Sequence, residues 1–237
     1  MAIASALTTR SGDVAGGTTT PSRTGSYNEA YAAPLTNKEF FFADEGSYFT
    51  AITPASGTGI IGHAAPTTYD TTKPYIFIYN GTQKTLYPQH LALYETVASV
   101  GGVGLVFVPS VDNVSTVTTP GTTLTVASSN VANATATSGL VAQVGAIVTP
   151  ANSGSSVQYG DIIFRGTIDI IQDHYDIVFG APSSNGGGVA RPATLMDSSR
   201  IASPIAVPPG WNFKLVQWRA SQSTGPTFQV RLGFVLR

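Results

Sequence analysis

Apolar and polar residues alternate along several short segments of the chain, which is the pattern of β-strands with one buried face. In residues 227–236, every second position from Phe228 to Leu236 is apolar. In residues 86–97, Leu91 and Leu93 fall on one face, and Glu95 shares that face. Successive side chains of a strand point to opposite sides of the sheet, so both segments predict strands that pack against a core.

Further strands are predicted where apolar or β-branched runs lie between turn-forming residues. They cover residues 39–43, 47–53, 73–79, 104–109, 122–127, 141–148, 161–171, 175–180 and 211–220. Asp44-Glu45-Gly46 predicts a turn between the first two, and Asn80-Gly81 is the strongest short-range signal for a β-hairpin. No segment carries an apolar stripe of helical period over three turns. The sequence therefore predicts an all-β fold, an antiparallel β-sandwich or jelly roll.

Residues 1–38 are rich in Thr, Ser and Gly and have no periodic apolar face. Such a segment cannot offset its own ordering entropy, yet Tyr27, Tyr31 and Leu35 provide spaced anchor side chains. We interpret residues 1–38 as an extended N-terminal arm that becomes ordered on a neighbour, with a flexible tail as the alternative. The β-sandwich domain then occupies residues 39–237, with an inserted hairpin or loop region at 110–158 and a long loop at 181–204.

Charged residues make up 11% of the 237 residues, against about a quarter in ordinary globular domains. Surfaces that are buried against neighbours lose charged residues, because removing an unpaired charge from water is costly. The composition therefore favours a protein whose surface is largely covered by partners. A secreted β-protein with a neutral surface is the alternative.

The net charge is −1 and no basic stripe is present, so we expect no direct contact with nucleic acid. The absence of cysteine excludes disulfides, thiol nucleophiles and zinc sites with cysteine ligands. The first residues lack the basic and apolar regions of a signal peptide. The longest apolar stretch, residues 100–108, includes three glycines and is too short to span a bilayer. We expect synthesis in the cytoplasm and no membrane partner.

Gly57-Thr-Gly-Ile-Ile-Gly62 spells the glycine pattern of a dinucleotide-binding loop. That chemistry requires a helix directly after the loop, whose N-terminus receives the pyrophosphate. The following residues include Pro66 and several threonines, which do not predict a helix. We therefore interpret the segment as a glycine-rich loop or a strand edge, and we expect no cofactor.

Asp169, Asp173, His174 and Asp176 form the densest group of potential metal ligands. Strand alternation would send Asp173 and His174 to opposite faces. A turn at residues 172–173 would instead let two of the carboxylates share a calcium ion. We prefer a polar strand end with a turn aspartate, and thus no metal site.

The three histidines, His63, His90 and His174, lie in different segments. A Ser-His-Asp triad can be assembled from distant positions, but the chain lacks the Gly-x-Ser-x-Gly motif of a nucleophile elbow. Because serine is abundant in the chain, a serine that pairs with a histidine by chance would not indicate a catalytic site. We assign no catalytic residue and expect a protein that is not an enzyme.

Two further groups of residues have structural interpretations. The Asn-x-Ser/Thr sequons at Asn80, Asn113 and Asn133 follow from the Thr/Ser-rich composition, and we do not expect them to carry glycans. Trp211, Tyr75 and Tyr79 could form a platform for carbohydrate stacking. We expect core positions for them instead, because Trp211 is in phase with Phe213 and Leu215.

Three parts of the chain together resemble structural proteins of tailed-bacteriophage virions. They are the arm at residues 1–38, the segment Tyr75-Ile-Phe-Ile-Tyr-Asn-Gly-Thr82, and the ending with Pro208-Pro-Gly-Trp211 and Phe228-Gln-Val-Arg-Leu-Gly-Phe234. The resemblance covers residues 73–97 and 161–237. It is to jelly-roll decoration, cement and head-fibre proteins.

This resemblance implies a homo-oligomer, often a trimer, that binds the major capsid protein or another virion component and stabilises the particle. It assigns no site residues. The alternative function is a carbohydrate- or receptor-binding module of the tail-fibre adhesin type, which should expose an aromatic-lined groove with polar groups nearby.

Overall fold

A computed structural model describes residues 38–63, 69–98, 100–133, 136–152, 154–164, 174–180 and 199–237. The chain divides between Phe41 and Phe42, and the account below concerns the unit that begins at Phe42. The predicted arm and its anchors Tyr27, Tyr31 and Leu35 lie outside the described residues, so the arm remains a prediction. No helix among the described residues is long and apolar enough to cross a membrane.

One short helix precedes a long series of strands. The helix is α1 (Lys38–Asp44). The strands are β1 (Tyr48–Ile52), β2 (Ile60–Ile61), β3 (Ile76–Asn80), β4 (Leu86–Val97), β5 (Val100–Asp112), β6 (Thr122–Thr123), β7 (Thr125–Ser128), β8 (Leu140–Val144), β9 (Ser156–Gln158), β10 (Ile162–Phe164), β11 (His174–Phe179), β12 (Ser199–Ala202), β13 (Asn212–Thr224) and β14 (Thr227–Leu236).

The strands form two sheets that pack as a sandwich, which confirms the predicted all-β class. The first sheet has the order β12-β11-β4-β14-β1-β7, with β2 also paired to β14. The second has the order β10-β5-β13-β3-β8-β6, with β9 also paired to β5. The pairs are antiparallel except for β11 and β12, which run parallel.

The connectivity within the two sheets is that of a jelly roll. Four strands of the first sheet, β1-β14-β4-β11, face four of the second, β3-β13-β5-β10. In chain order these eight strands pass from one sheet to the other at nearly every connection, and the last strand lies between the first strand and β4. Two interleaved Greek keys give this arrangement. The strands β6 to β9 are inserted between β5 and β10.

The core lies between the sheets and contains the side chains that the alternation predicts. Phe228, Val230, Leu232, Phe234 and Leu236 of β14 are all buried, as are Leu91 and Leu93 of β4. Glu95 is also fully buried, and Tyr175 Oη donates a hydrogen bond of 3.2 Å to its carboxylate. Aromatic rings from both sheets fill the centre, for example Phe164 of β10 and Tyr175 of β11 in an edge-to-face contact.

The predicted strand at residues 39–43 is wrong, because this segment belongs to helix α1. The helix ends in a Schellman motif, in which Gly46 N–H donates to Ala43 O and Ser47 N–H to Phe42 O. Gly46 adopts a φ of 73°, which glycine accommodates without steric cost. The glycine that suggested a turn between two strands therefore ends a helix.

The hairpin predicted at Asn80-Gly81 is also wrong, because β3 and β4 belong to different sheets. The Asn80 side chain is fully buried and shapes the crossover between them. Its Oδ1 accepts hydrogen bonds from the backbone and the hydroxyl of Thr82, while its Nδ2 donates to Lys84 O and Val207 O. Asparagine thus supports a local turn here, but the turn leads the chain from β3 in one sheet to β4 in the other.

In the second half of the chain, the residues described from the strands predicted at 161–171 and 175–180 form β10 and β11, which lie in different sheets. The predicted loop at 181–204 includes strand β12, and its residues 181–198 lie outside the described part. The region 110–158, which we took for an inserted hairpin or loop, contains β6 to β9 and the end of β5.

Both flanks of the sandwich carry a link between the sheets. At one flank, β6 pairs with β8 of the second sheet and β7 pairs with β1 of the first, so residues 122–128 serve both sheets. Leu124, at the bend, is buried in the core. At the other flank, Arg200 of β12 donates a hydrogen bond of 3.2 Å from Nε to Ile163 O of β10 and lies over the Phe164 ring.

Candidate functional site

The outer face of the first sheet presents a regular array of polar and aromatic side chains. On β14 and β4 the inward positions fill the core, so the alternating positions face outward. Cross-strand pairing places them in rows. One row is Gln229, Tyr94 and His174, and the adjoining row is Ile52, Arg231, Ala92 and Asp176.

A depression of about 480 Å³ lies in this array. Ala92 is at its floor, between the longer His90 and Tyr94 on the same strand, and its methyl side chain fills little of the space. The loop after β1, including Pro54 and Ser56, forms one wall. A volume of this size is typical of small-molecule sites.

The loop that forms this wall is attached to β14. The backbone N–H of Thr53 donates to Val230 O at 3.1 Å. The Gln229 amide, turned so that its oxygen faces the loop, accepts hydrogen bonds from the backbone N–H groups of Gly57 and Thr58. The wall is therefore held by the same strand that contributes part of the floor.

Two histidines that are far apart in sequence meet one carboxylate at the edge of the depression. Nε2 of His90 lies 3.0 Å from Oδ1 of Asp176, and Nε2 of His174 lies 3.4 Å from the same atom. His90 and Asp176 sit on the adjacent strands β4 and β11, one diagonal step apart. Asp176 thereby orients both imidazoles along the rim.

Arg231 provides the opposite side of the depression. Its side chain is exposed, and it makes no hydrogen bond or ion pair within the described part of the chain. Tyr94 is 38% exposed in the adjoining row. The depression therefore combines an unengaged guanidinium, an aromatic ring and two imidazoles, and Asp176 contacts the imidazoles from outside its lining.

The arrangement lacks the contacts of a hydrolytic triad. Ser56 lines the depression, but among the described residues no hydrogen bond joins its hydroxyl to His90 or His174. A nucleophile that is activated by a histidine requires that contact. The expectation that the protein is not an enzyme stays a prediction.

The potential metal ligands are engaged with one another. Nε2 of both imidazoles lies within 3.4 Å of the same Asp176 oxygen. No group of three or more His, Asp or Glu side chains in the described ranges is suited to hold a metal ion. Asp169 and Asp173 lie outside those ranges, so the calcium alternative that involved them is untested.

The glycine pattern at residues 57–62 forms a turn and the short strand β2. Gly57 has a φ of 78°, and Ile60 and Ile61 pair with Phe228 and Thr227 of β14. Gly62 N–H donates to Pro226 O. This is the glycine-rich loop and strand edge that we expected, and it offers no helix N-terminus to a dinucleotide within residues 57–63.

His63 is separate from the other two histidines. Its Nε2 donates a hydrogen bond of 2.6 Å to Ile147 O, and the side chain is half-buried. Burial lowers the pKa of His63, and the hydrogen bond to Ile147 offsets part of this effect. His63 thus ties the loop after β2 to the segment after β8.

The remaining sequence candidates have structural positions. Tyr75 is buried in the core and donates a hydrogen bond of 2.8 Å to Ile60 O, and Trp211 packs against the core, as predicted. Tyr79 is half-buried. Of the sequons, Asn80 is fully buried and so inaccessible to a glycosyltransferase in the folded protein, whereas Asn113 is exposed.

The site depends on a relationship that single-sequence reasoning missed. Alternation places Gln229 and Arg231 on the face of β14 that points away from the core, and the same rule places Tyr94 outward on β4. The pairing register of β4 with β11, which brings Asp176 beside Ala92, has no local signal in the sequence.

No protein-family model, curated protein or solved structure matches the chain.

Proposed function

We propose that this chain is a non-enzymatic structural protein of a virus particle, a capsid-associated decoration or cement protein. It associates with copies of itself and binds the major capsid protein or another virion component. The observation that carries the proposal is a surface with very little charge on a jelly-roll sandwich. Jelly rolls are common in viral capsid proteins, although a fold alone does not determine a function.

The surface has even less charge than the composition indicates. The chain contains 25 charged side chains, and three of them, Glu95, Asp112 and Lys214, are buried inside the fold. Monomeric proteins keep their surfaces hydrated with charged side chains. A surface with few of them is suited to burial against neighbouring subunits.

Exposed aliphatic side chains gather at one end of the sandwich. Ile61 and Val97 pair with the same residue of β14, Thr227, and are 49% and 54% exposed. Val100, three residues after Val97, is 57% exposed. Single exposed aliphatic residues are ordinary, but a cluster at the end of adjoining strands supports a contact surface. We call Ile61, Val97 and Val100 the apolar end.

The test begins with particles purified from the natural source. We expect the full chain to sediment with the particles in a fixed ratio to the major capsid protein and to appear at regular positions by cryo-electron microscopy. Recovery of the chain only as a free monomer, with none in the particle fraction, would overturn the proposal.

A pair of variants tests the apolar end. Val97→Lys places a charge in the apolar end and should weaken self-association, measured by sedimentation equilibrium. Val131→Lys is the matched control, because Val131 is 93% exposed and lies in the insertion. Equal association of both variants and the unchanged protein would remove the apolar end from the argument.

A further inference from the structure

We propose that the depression on the outer face of the first sheet binds a carboxylated sugar, such as a uronic or sialic acid residue of a surface polysaccharide. The inference does not rest on the structural role proposed above. It rests on the chemistry of three residues that line the depression, Arg231 of β14, Ala92 of β4 and His174 of β11.

Arg231 indicates the charge of the ligand. Its guanidinium is exposed at the depression and is not engaged by any acceptor in the described part of the molecule. A guanidinium offers two parallel N–H donors that match the two oxygens of a carboxylate. An acidic group of the ligand is therefore placed at the β14 side of the depression.

His90 and His174, which line the depression, indicate what the rest of the ligand must provide. An imidazole can donate or accept a hydrogen bond, which suits the hydroxyl groups of a sugar. Strand β11, which carries His174, lies two strands away from β14, which carries Arg231, a spacing of about 10 Å. One pyranose ring with an acidic substituent can reach from one side to the other.

Tyr94 and Ala92 give the site its shape. The small Ala92 leaves room for a ring above the floor, and Tyr94 supplies an aromatic surface at the side. A bare phosphate would satisfy Arg231 but would leave Tyr94 and the two histidines without a partner. The observations thus favour an acidic sugar over a simple anion.

The experiment uses the full chain and matched small probes. Binding of the methyl glycosides of glucuronic acid and N-acetylneuraminic acid is measured by saturation-transfer NMR and calorimetry. The neutral control is methyl glucoside, which carries a hydroxymethyl group where glucuronide carries a carboxylate. Inorganic phosphate is titrated as a competitor.

Three variants locate the site. Arg231→Gln removes the guanidinium, Ala92→Leu fills the hollow without changing any charge, and Arg237→Gln removes another exposed guanidinium elsewhere. Arg237 is the matched control because its contacts are with Glu45 and Phe42, outside the depression. Thermal unfolding of each variant establishes that it is folded.

We expect at least one acidic sugar to bind at least about tenfold more tightly than the neutral glycoside, and Arg231→Gln to weaken it by about tenfold. Ala92→Leu should abolish binding, and Arg237→Gln should leave it unchanged. Equal affinity for the neutral glycoside, or equal affinity for phosphate, would overturn the proposed ligand class. Undiminished binding to Ala92→Leu would overturn the location. Dissociation constants weaker than about 10 mM for both acidic sugars would overturn the proposal as a whole.

Discussion

The ammonium group of Lys214 lies 2.8 Å from the carboxylate of Asp112, and the two side chains are 1% and 3% exposed. They face away from the core, on the outer side of the second sheet, and other parts of the chain cover them. Lys214 Nζ also donates to Thr149 Oγ1, and Asn212 donates to the same carboxylate. The ion pair is thus fully desolvated and surrounded by hydrogen bonds.

Lys214→Met should reduce the free energy of unfolding by about 3–5 kcal/mol, because it leaves the Asp112 carboxylate buried without its counter-charge. Equilibrium unfolding in urea measures the change. Lys84→Met is the matched control: Lys84 is exposed, and its loss should cost less than about 0.5 kcal/mol.

A second substitution separates the loss of the pair from the loss of packing. Lys214→Met combined with Asp112→Asn removes the uncompensated charge and should recover part of the lost stability. If the double variant is no more stable than Lys214→Met alone, the buried charge is not the cause of the destabilisation.

The lowered pKa of His63 predicts a loss of stability in acid. Because the folded protein disfavours the protonated imidazole, the unfolded chain takes up the proton first as the pH falls below about 6.5. The free energy of unfolding should therefore decrease from pH 7 to pH 5. His63→Gln, which keeps a donor for Ile147 O, should show a smaller decrease over this range in urea titrations. Identical pH dependence of the two proteins would contradict the assignment.

Leu124→Ala should destabilise the flank at which the consecutive strands β6 and β7 join the two sheets. Leu124 is 3% exposed, and removing a buried leucine side chain costs about 2–5 kcal/mol. Hydrogen exchange should quicken first in residues 122–128 and 140–144. Val131→Ala, in the same insertion but 93% exposed, should leave both the unfolding midpoint and the exchange unchanged. A loss below about 1 kcal/mol for Leu124→Ala would indicate that the two sheets do not depend on this strand.

The sequence predicted the strands whose burial alternates cleanly. Strand β4 has the predicted boundaries, and β14 buries the five predicted side chains, because period-two alternation is a direct consequence of strand geometry. The failures occur at residues that suit more than one structure. Gly46 fits a turn or a helix end equally well, and Asn80 supports a turn whether the chain stays in one sheet or changes sheets.

The candidate site was predictable in its parts but not as a whole. Alternation places Tyr94 and Arg231 on outward positions, yet it does not reveal which strands adjoin. The approach of His90 to Asp176 depends on the register between β4 and β11. That register is fixed by core contacts of residues far apart in the chain, so no local pattern encodes it.

The bend at Leu124, between β6 and β7, affects how copies of the protein can lie close together. On that flank the edge strands within the described part of the chain are β6 and β7, which are two and four residues long and belong to different sheets. Short, interrupted edges are poor templates for the addition of a foreign strand. At this flank, the sheets of one copy therefore have little tendency to continue into the sheets of the next, even when many copies are concentrated in a small space. Contacts between copies then form at the faces and ends of the sandwich, where side chains determine which surfaces bind.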